Sequence, residues 1–295
     1  MIFITGGSGF VGRHLIKRLT DEGQKVRSLA MTQSEAENLV RAGAEVVRGD
    51  ITNYEAIQTG MQNAESAVHL VAIIRERGPA TFEAVNVQGT MNVVKTATEA
   101  GIKKLVHIAA LGNTPDPRYA YLNSKWRAAE AVRALKLDYT VFEPSVLFGP
   151  GAGLIEALLG TLKMAPFFVP IVGAGKTLFQ PFWVEDLVSC IVRALGGEKS
   201  RETCQVGGPQ HLTYEQVLDE VMAAKGVKRL KVHLPLWLMR PMVSLMGKIL
   251  KNPPITKGEL KSLEIDTITD LDAVEKQFGF KPLPLSKGLG FLSED

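Results

Sequence analysis

The stretch Ile2-Phe3-Ile4-Thr5-Gly6-Gly7-Ser8-Gly9-Phe10-Val11-Gly12-Arg13-His14-Leu15-Ile16-Lys17-Arg18-Leu19 decides the fold. It reads as a short apolar strand, a glycine-rich turn and a run with helical periodicity, in immediate succession. Strand, glycine turn and helix together cradle a dinucleotide pyrophosphate: Gly6 permits the tight turn, Gly9 lets backbone approach the phosphates, and Gly12 lets the helix pack closely. Backbone N–H groups and the helix dipole then face the anion. The alternative is a glycine-rich turn that binds nothing.

The glycines are spaced GxxGxxG, and Thr5 to Gly12 resembles the turn of the extended and atypical short-chain dehydrogenase/reductase superfamily, the NAD-dependent epimerase/dehydratase type. That resemblance implies an α/β protein built on a Rossmann-type, doubly wound parallel sheet with a smaller C-terminal substrate lobe. It implies cofactor contacts from Gly6, Gly7, Ser8, Gly9, Phe10, Val11 and Gly12. Alternating strands and helices in the first part agree. Residues 1–150 are expected to form the NAD(P)-binding core. Residues 151–295 are expected to form mainly the substrate lobe, with about 180–206 returning to the core.

Lys25 to Ala30 reads as the second strand. An Asp or Glu at its end would hold the adenosine ribose and select NAD; Ala30 stands there, followed by Met31, and no acid comes before Glu35. The missing carboxylate favours NADP over NAD. Arg13 and Arg27 are candidate partners for a 2′-phosphate, or simply occupy solvated faces. Ser34 to Glu37 and Thr52 to Glu55 read as capping boxes. Glu45 to Arg48 is a third strand, and the following Gly49-Asp50-Ile51 resembles the superfamily triplet that contacts adenine, which assigns that role to Asp50 and Ile51. Asp50 also suits a turn or cap. Ser66 to Ala72 is a fourth strand, similar to the superfamily stretch whose end, here Val71 and Ala72, lies under the cofactor. His69 inside it reads as a core histidine rather than a base.

Phe82 to Ala100 is a long helix in which Asn86-Val87-Gln88-Gly89-Thr90 matches the family element N-x-x-G-T, and by resemblance Asn86 positions a proton-relay water. Lys104 to Ala109 is the fifth strand. Beyond it, Tyr121 and Lys125 stand at i, i+4 on one helix face. An ammonium near the phenol would bring the Tyr pKa toward neutral, making Tyr121 an acid or base; in the superfamily the Lys also binds the nicotinamide ribose. A substrate-holding Ser or Thr is expected just after the fifth strand, but the run is His107-Ile108-Ala109-Ala110-Leu111-Gly112, and Thr114 is the nearest hydroxyl. Ala109 stays a candidate cofactor contact.

The same run, together with Tyr139 to Gly151 and Gln180 to Asp186, resembles the branch that includes the short-chain-dehydrogenase-like accessory subunit of respiratory complex I. It implies that Pro144 and Val146 border the nicotinamide, while Glu143 replaces a common Arg. Two functions follow: an NAD(P)-dependent oxidoreductase or epimerase-like enzyme, or a non-catalytic NADPH-binding member of an assembly.

The chain has 295 residues with 45% hydrophobic and 22% charged residues, ordinary for a globular protein. A net charge of +3 without a Lys/Arg run argues against nucleic acid. Cys190 and Cys204 lack zinc or disulfide spacing and read as reduced core residues in the cytoplasm; no metal site is expected. A strand starting right after Met1 predicts no signal peptide. Pro235 to Leu250 is rich in Leu, Met and Trp237, with Arg240 and Lys248 interspersed. It suits the lobe's own core, a lipophilic substrate, or a face touching membrane or another subunit. Pro253-Pro254 reads as surface closure. A homodimer through the helices around Phe82 and Tyr121 is common among relatives.

Overall fold

The computed structural model describes residues 1–151, 153–164, 167–249 and 255–292. Pro253 and Pro254 lie outside them. In chain order the strands are β1 (Ile2–Thr5), β2 (Val26–Ala30), β3 (Glu45–Arg48), β4 (Ser66–His69), β5 (Lys104–Ile108), β6 (Asp138–Pro144), β7 (Leu147–Phe148), β8 (Phe168–Val172), β9 (Leu178–Phe179), β10 (Phe182–Trp183), β11 (Glu202–Val206), β12 (Leu212–Thr213) and β13 (Leu230–Leu234). The α-helices are α1 (Phe10–Asp21), α2 (Gln33–Arg41), α3 (Tyr54–Met61), α4 (Gly89–Glu99), α5 (Ala120–Arg133), α6 (Gly153–Met164), α7 (Val184–Leu195), α8 (Tyr214–Ala224), α9 (Leu236–Ile249), α10 (Lys257–Ser262), α11 (Ala273–Phe278) and α12 (Leu285–Gly288). A π-helical segment, Phe82–Gln88, runs directly into α4.

The chain divides into two compact units, Met1–Glu143 with Val184–Gln205, and Pro144–Trp183 with Val206–Asp295. The first unit carries the main sheet, ordered β11-β6-β5-β4-β1-β2-β3, and β1 to β6 are joined by parallel pairings. The chain winds outward from β1 to β3, then crosses to β4 on the other side of β1. That reversal puts the topological switch point between β1 and β4, where Thr5 pairs His69. Parallel pairing buries the strands on both faces, which is why Ile2-Phe3-Ile4 and Leu105-Val106 read as continuous apolar runs. Helices α1 and α7 pack on one another, and α3, α4 and α5 pack in succession. Beneath the latter layer Phe3, Ile57, Met61, Val93, Leu105 and Val132 form one core.

Local signals shift by a few residues. The capping box of α2 is Thr32 with Glu35, not Ser34 with Glu37, because Glu35 reaches back to the Thr32 N–H while Thr32 Oγ1 accepts from Glu35 N. α3 is capped by Asn53, whose Oδ1 accepts from Ala56 N, rather than by Thr52. A Thr213–Gln216 capping box opens α8. Cys190 and Cys204 are both free and buried.

The second unit holds three two-stranded pairings, β10 with β7, β12 with β9 and β13 with β8. Gln180 ties its loops: its amide donates to Gly208 O, and its Oε1 accepts from Thr269 N.

Candidate active site

The carboxyl ends of β1, β2, β4 and β5 all open on one edge of the first unit, and the sequence motifs collect there. The turn after β1 is built by its glycines. Gly6 has φ +79°, a left-handed conformation that side chains disfavour. Gly9 N–H donates to Gly6 O at 3.1 Å. A Cβ at Gly12 would lie 2.6 Å from Gly7 Cα and closer still to Gly6 O, so α1 starts directly against the turn. A Cβ at Gly7 would meet Ile16 at 2.6 Å and the Ser28 hydroxyl more closely, so Gly7 serves packing on β2. Gly9 caps α1 without a side chain, and its first turn has no acid. The first N–H groups of α1 therefore keep their capacity for an anion. The end of β4 closes the other wall: a Cβ on Gly6 would touch Val71 N at 3.1 Å. These cradle dimensions fit a dinucleotide pyrophosphate. Arg13 lies with its guanidinium over the Phe10 ring at 5.8 Å.

The ends of β2 and β3 correct one assignment. Arg27 is the second residue of β2, pairs Glu45 in register, and sits at the amino end, away from the open edge. Its guanidinium donates to Glu45 Oε2 at 2.8 and 3.0 Å, to Gly60 O at 3.2 Å and to Gln62 O at 2.8 Å. The structure thus spends Arg27 on the opposite side of the sheet. The cation at the open end is Arg48, paired with Ala30 in the β2–β3 register and donating to Met31 O at 3.3 Å and Gln33 Oε1 at 3.4 Å. Met31 is 66% exposed. The Glu35 carboxylate is here too, accepting from Met31 N and Thr32 N. Arg48 was visible in the sequence as the last residue of β3; strand direction was the signal that singles it out over Arg27.

Asp50 Oδ1 accepts from Thr52 N and Thr52 Oγ1, which makes it a turn residue. The Ile51 side chain is buried in the core, against Gly89 of α4, and does not face the edge. Ala109 is likewise buried in the core, its N–H donating to Phe142 O at 2.7 Å. Pro144 ends β6, and Val146 O accepts from Phe182 N in the second unit.

Tyr121 lies in the first turn of α5, its ring 5.9 Å from that of Phe82 on the π-helical segment. Asn86 holds this corner together. Its Oδ1 accepts from Ile73 N at 2.8 Å, and its Nδ2 donates to Ile73 O at 3.1 Å and Ser124 Oγ at 2.9 Å; Ser124 Oγ in turn donates to Tyr121 O at 2.7 Å. The Asn86 side chain clamps the loop after β4 to α5.

Lys125 is buried and its Nζ donates to Ile108 O at 2.5 Å. Burial pushes its pKa down to about 8. Burial also pushes the Tyr121 phenol up to about 12. The expected pull of the lysine toward a neutral-range phenol is absent because desolvation dominates both groups and the ammonium is turned to a backbone carbonyl. Behind Lys125, His69 is a satisfied core histidine. Thr90 Oγ1 gives its proton to Asn86 O, so it accepts from His69 Nε2, and Thr5 Oγ1 donates to His69 Nδ1 at 2.7 Å. Burial holds that imidazole neutral, with a pKa near about 3. His107 stacks on it, ring centroids 5.1 Å apart.

The loop after β5 carries no hydroxyl at Ala109 or Ala110. Thr114 is brought back against α5, its N–H donating to Leu122 O and its carbonyl accepting from Asn123 Nδ2, while its Oγ1 accepts from Asp116 N. The polar side chain brought against Ala110 is Asn113, whose Nδ2 donates to Ala110 O at 2.7 Å. Glu143 is buried and compensated by Arg133 of α5 at 2.5 Å and by Gln205 Nε2 at 3.1 Å.

The model of the NAD dependent epimerase/dehydratase family matches residues 2–207. An Arabidopsis thaliana 3beta-hydroxysteroid-dehydrogenase/decarboxylase (isoform 1) is 25% identical across 97% of this chain and 77% of its own. The 40 kDa subunit of NADH-ubiquinone oxidoreductase from Neurospora crassa is 20% identical across 96% of this chain and 76% of its own. Among solved structures, an NADPH-dependent quinone oxidoreductase from Escherichia coli superposes with a TM-score of 0.77 at 15% identity, covering 99% of both chains. At that identity the likeness establishes the shared fold.

Proposed function

The chain belongs to the NAD-dependent epimerase/dehydratase family, and from that premise we propose that it is an NADP-dependent reductase of a small or lipophilic carbonyl compound, with Tyr121 as proton donor. The observation that carries the proposal is Tyr121 in the first turn of α5, its backbone carbonyl held by Ser124 and its ring against Phe82, in the unit whose parallel sheet opens on the glycine cradle; burial pushes its phenol up to about 12. A nicotinamide dinucleotide, when bound, supplies the hydride. Gly6, Gly9, Gly12 and the N-terminus of α1 hold its pyrophosphate. Asp50, through Oδ2, takes the adenine amine; Val71 and Ala72 floor the site, and Pro144 and Val146 border the nicotinamide. Tyr121 gives its proton to the carbonyl oxygen, and a group already protonated at neutral pH suits reduction over alcohol oxidation. Lys125, still largely an ammonium at neutral pH, holds the nicotinamide ribose and supports the phenolate left behind. Partners are the dinucleotide, the substrate, and a membrane or assembly surface contacted through the second unit. A lipophilic substrate draws support by analogy from relatives named for steroid and quinone chemistry.

For the cofactor, Arg48 takes the place first assigned to Arg27, with Arg13 as second cation; the Glu35 carboxylate is already engaged by two backbone N–H groups. Arg48→Ala is expected to weaken NADPH binding about tenfold or more while leaving NADH nearly unchanged, because a charge-assisted contact to the 2′-phosphate is lost. Fluorescence titration with both nucleotides reads it, and an equal effect on both removes Arg48 from 2′-phosphate recognition.

Asn113 supplies the donor that Ala109 and Ala110 lack, through the second hydrogen of its amide. Asn113→Ala is expected to cut kcat/KM about a hundredfold, the scale of losing one oxyanion donor, with NADPH affinity intact. An unaffected kcat/KM would leave the substrate oxygen to some other group.

Ala109 and Ala110 also favour a second reading, a protein that holds NADPH as a structural element without turnover. Nucleotide exchange separates the two: an enzyme releases bound NADPH to a chase of free nucleotide on the timescale of turnover. A structural holder keeps a stoichiometric nucleotide through gel filtration.

A further inference from the structure

The outer face of α9 is apolar where a solvated helix should be polar. Leu236, Met239, Val243 and Met246 recur at i, i+3, i+7 and i+10, and they pack with Leu260, Val172 and Leu234 into the small core of the second unit. That inner stripe is what an amphipathic surface helix needs. A second stripe, Leu238, Met242, Leu245 and Ile249, recurs at i, i+4, i+7 and i+11 on the flank adjoining the first, with Trp237 exposed farther round the helix. Trp237 is 75%, Leu245 59% and Ile249 71% exposed. A helix whose apolar arc runs this far beyond the stripe its own core covers is normally covered there too. In the same unit Phe167 is 84% exposed and Leu230 70%.

The charge around this helix names the cover. From Lys225 to Gly258 the sequence holds eight Lys and Arg and no Asp or Glu. Acids reach this segment only from outside it: Glu215 and Asp219 pair with Lys231, and Glu264 pairs with Arg240. Lys228 is exposed. At 14 residues α9 is about 21 Å long, short of the roughly 30 Å hydrocarbon core, so it could lie in a bilayer interface but not cross it. Among the described residues no helix is long and apolar enough to cross a membrane. Exposed branched and thioether side chains on one stripe with an exposed Trp beside it, in a segment whose cations outnumber the acids that pair with them, are the composition of an in-plane interfacial helix.

We infer that the second unit docks on an anionic lipid bilayer through the exposed Leu238, Met242, Leu245 and Ile249 stripe of α9 and Trp237 beside it, with Lys225, Lys228, Arg229 and Lys257 meeting the headgroups. The inference stands on this unit alone and not on the catalytic assignment.

The test is flotation of the full chain with phosphatidylglycerol-containing vesicles and with pure phosphatidylcholine vesicles, beside the variant Leu245→Glu/Ile249→Glu. Both positions point to solvent, so the variant should keep its circular dichroism and NADPH binding. The expected result is co-flotation with the anionic vesicles, lost roughly tenfold or more in the variant and weakened by salt. Trp237 emission should shift to the blue on anionic vesicles, and Trp237→Phe should remove that shift. No flotation, or flotation that the variant leaves unchanged, overturns the inference. So does self-association or capture of a protein partner that the variant abolishes while neither vesicle binds, since the stripe would then be a protein interface.

Discussion

Gly12→Ala is expected to weaken dinucleotide binding about a hundredfold or more, with NADPH and NADH affected alike. The added methyl would lie 2.6 Å from Gly7 Cα and closer to Gly6 O, and both obstacles are backbone. Neither can rotate away, so α1 must retreat from the turn or the turn must open. Either movement takes the N–H groups of α1 off the pyrophosphate, where they and the helix dipole act together. An overpacking strain of about 3 kcal/mol alone corresponds to a loss of roughly a hundredfold or more in affinity. Fluorescence titration measures it, with a thermal melt to show that the variant is folded. A folded Gly12→Ala protein that binds NADPH normally would show that the nucleotide does not use this turn.

Tyr121→Phe lowers kcat by about a hundredfold to ten-thousandfold, the range for removing a positioned general acid, and leaves NADPH affinity nearly unchanged. The pH dependence follows from the two shifted groups. With its pKa raised to about 12, Tyr121 stays protonated across the working range, so its own alkaline limb falls above that range. Lys125, lowered to about 8, loses its charge as pH rises through that value, so kcat/KM for reduction falls above about pH 8. Lys125→Arg keeps the charge at all accessible pH and should remove that alkaline limb, even if its overall rate is lower. A profile that instead rises with pH would mean the phenolate is the working form, and the direction assigned here would be reversed.

The parts of this protein that were readable in advance are those where one residue type has one physical use. A glycine spacing of GxxGxxG after an apolar strand fixes a left-handed turn and a close helix start, and Gly6 and Gly12 sit there for those reasons. Apolar runs such as Leu105-Val106 announce strands buried on both faces. Arg27 was ambiguous because a count along the chain does not weigh which end of a parallel strand opens on the ligand edge; register against Glu45 settles that, and Arg48 emerges from the same register. Asn86 carries a motif match, but only three-dimensional neighbours such as Ile73 and Ser124 show it working as a clamp. The Tyr121 and Lys125 spacing was visible. Their pKa values were not, because desolvation depends on what packs around the pair rather than on the pair itself. For α9, periodicity detects one apolar stripe readily, whereas two adjoining stripes look like an undivided apolar segment until the core has claimed one of them.

The most direct test of the central claim is NADPH oxidation by the purified full chain against a panel of lipophilic ketones and quinones, run beside Tyr121→Phe. The expected result is consumption of NADPH matched by reduced product, in the wild type and not in the variant. Tight NADPH binding with no oxidation against any member of the panel, or oxidation that proceeds equally without the Tyr121 hydroxyl, would contradict it.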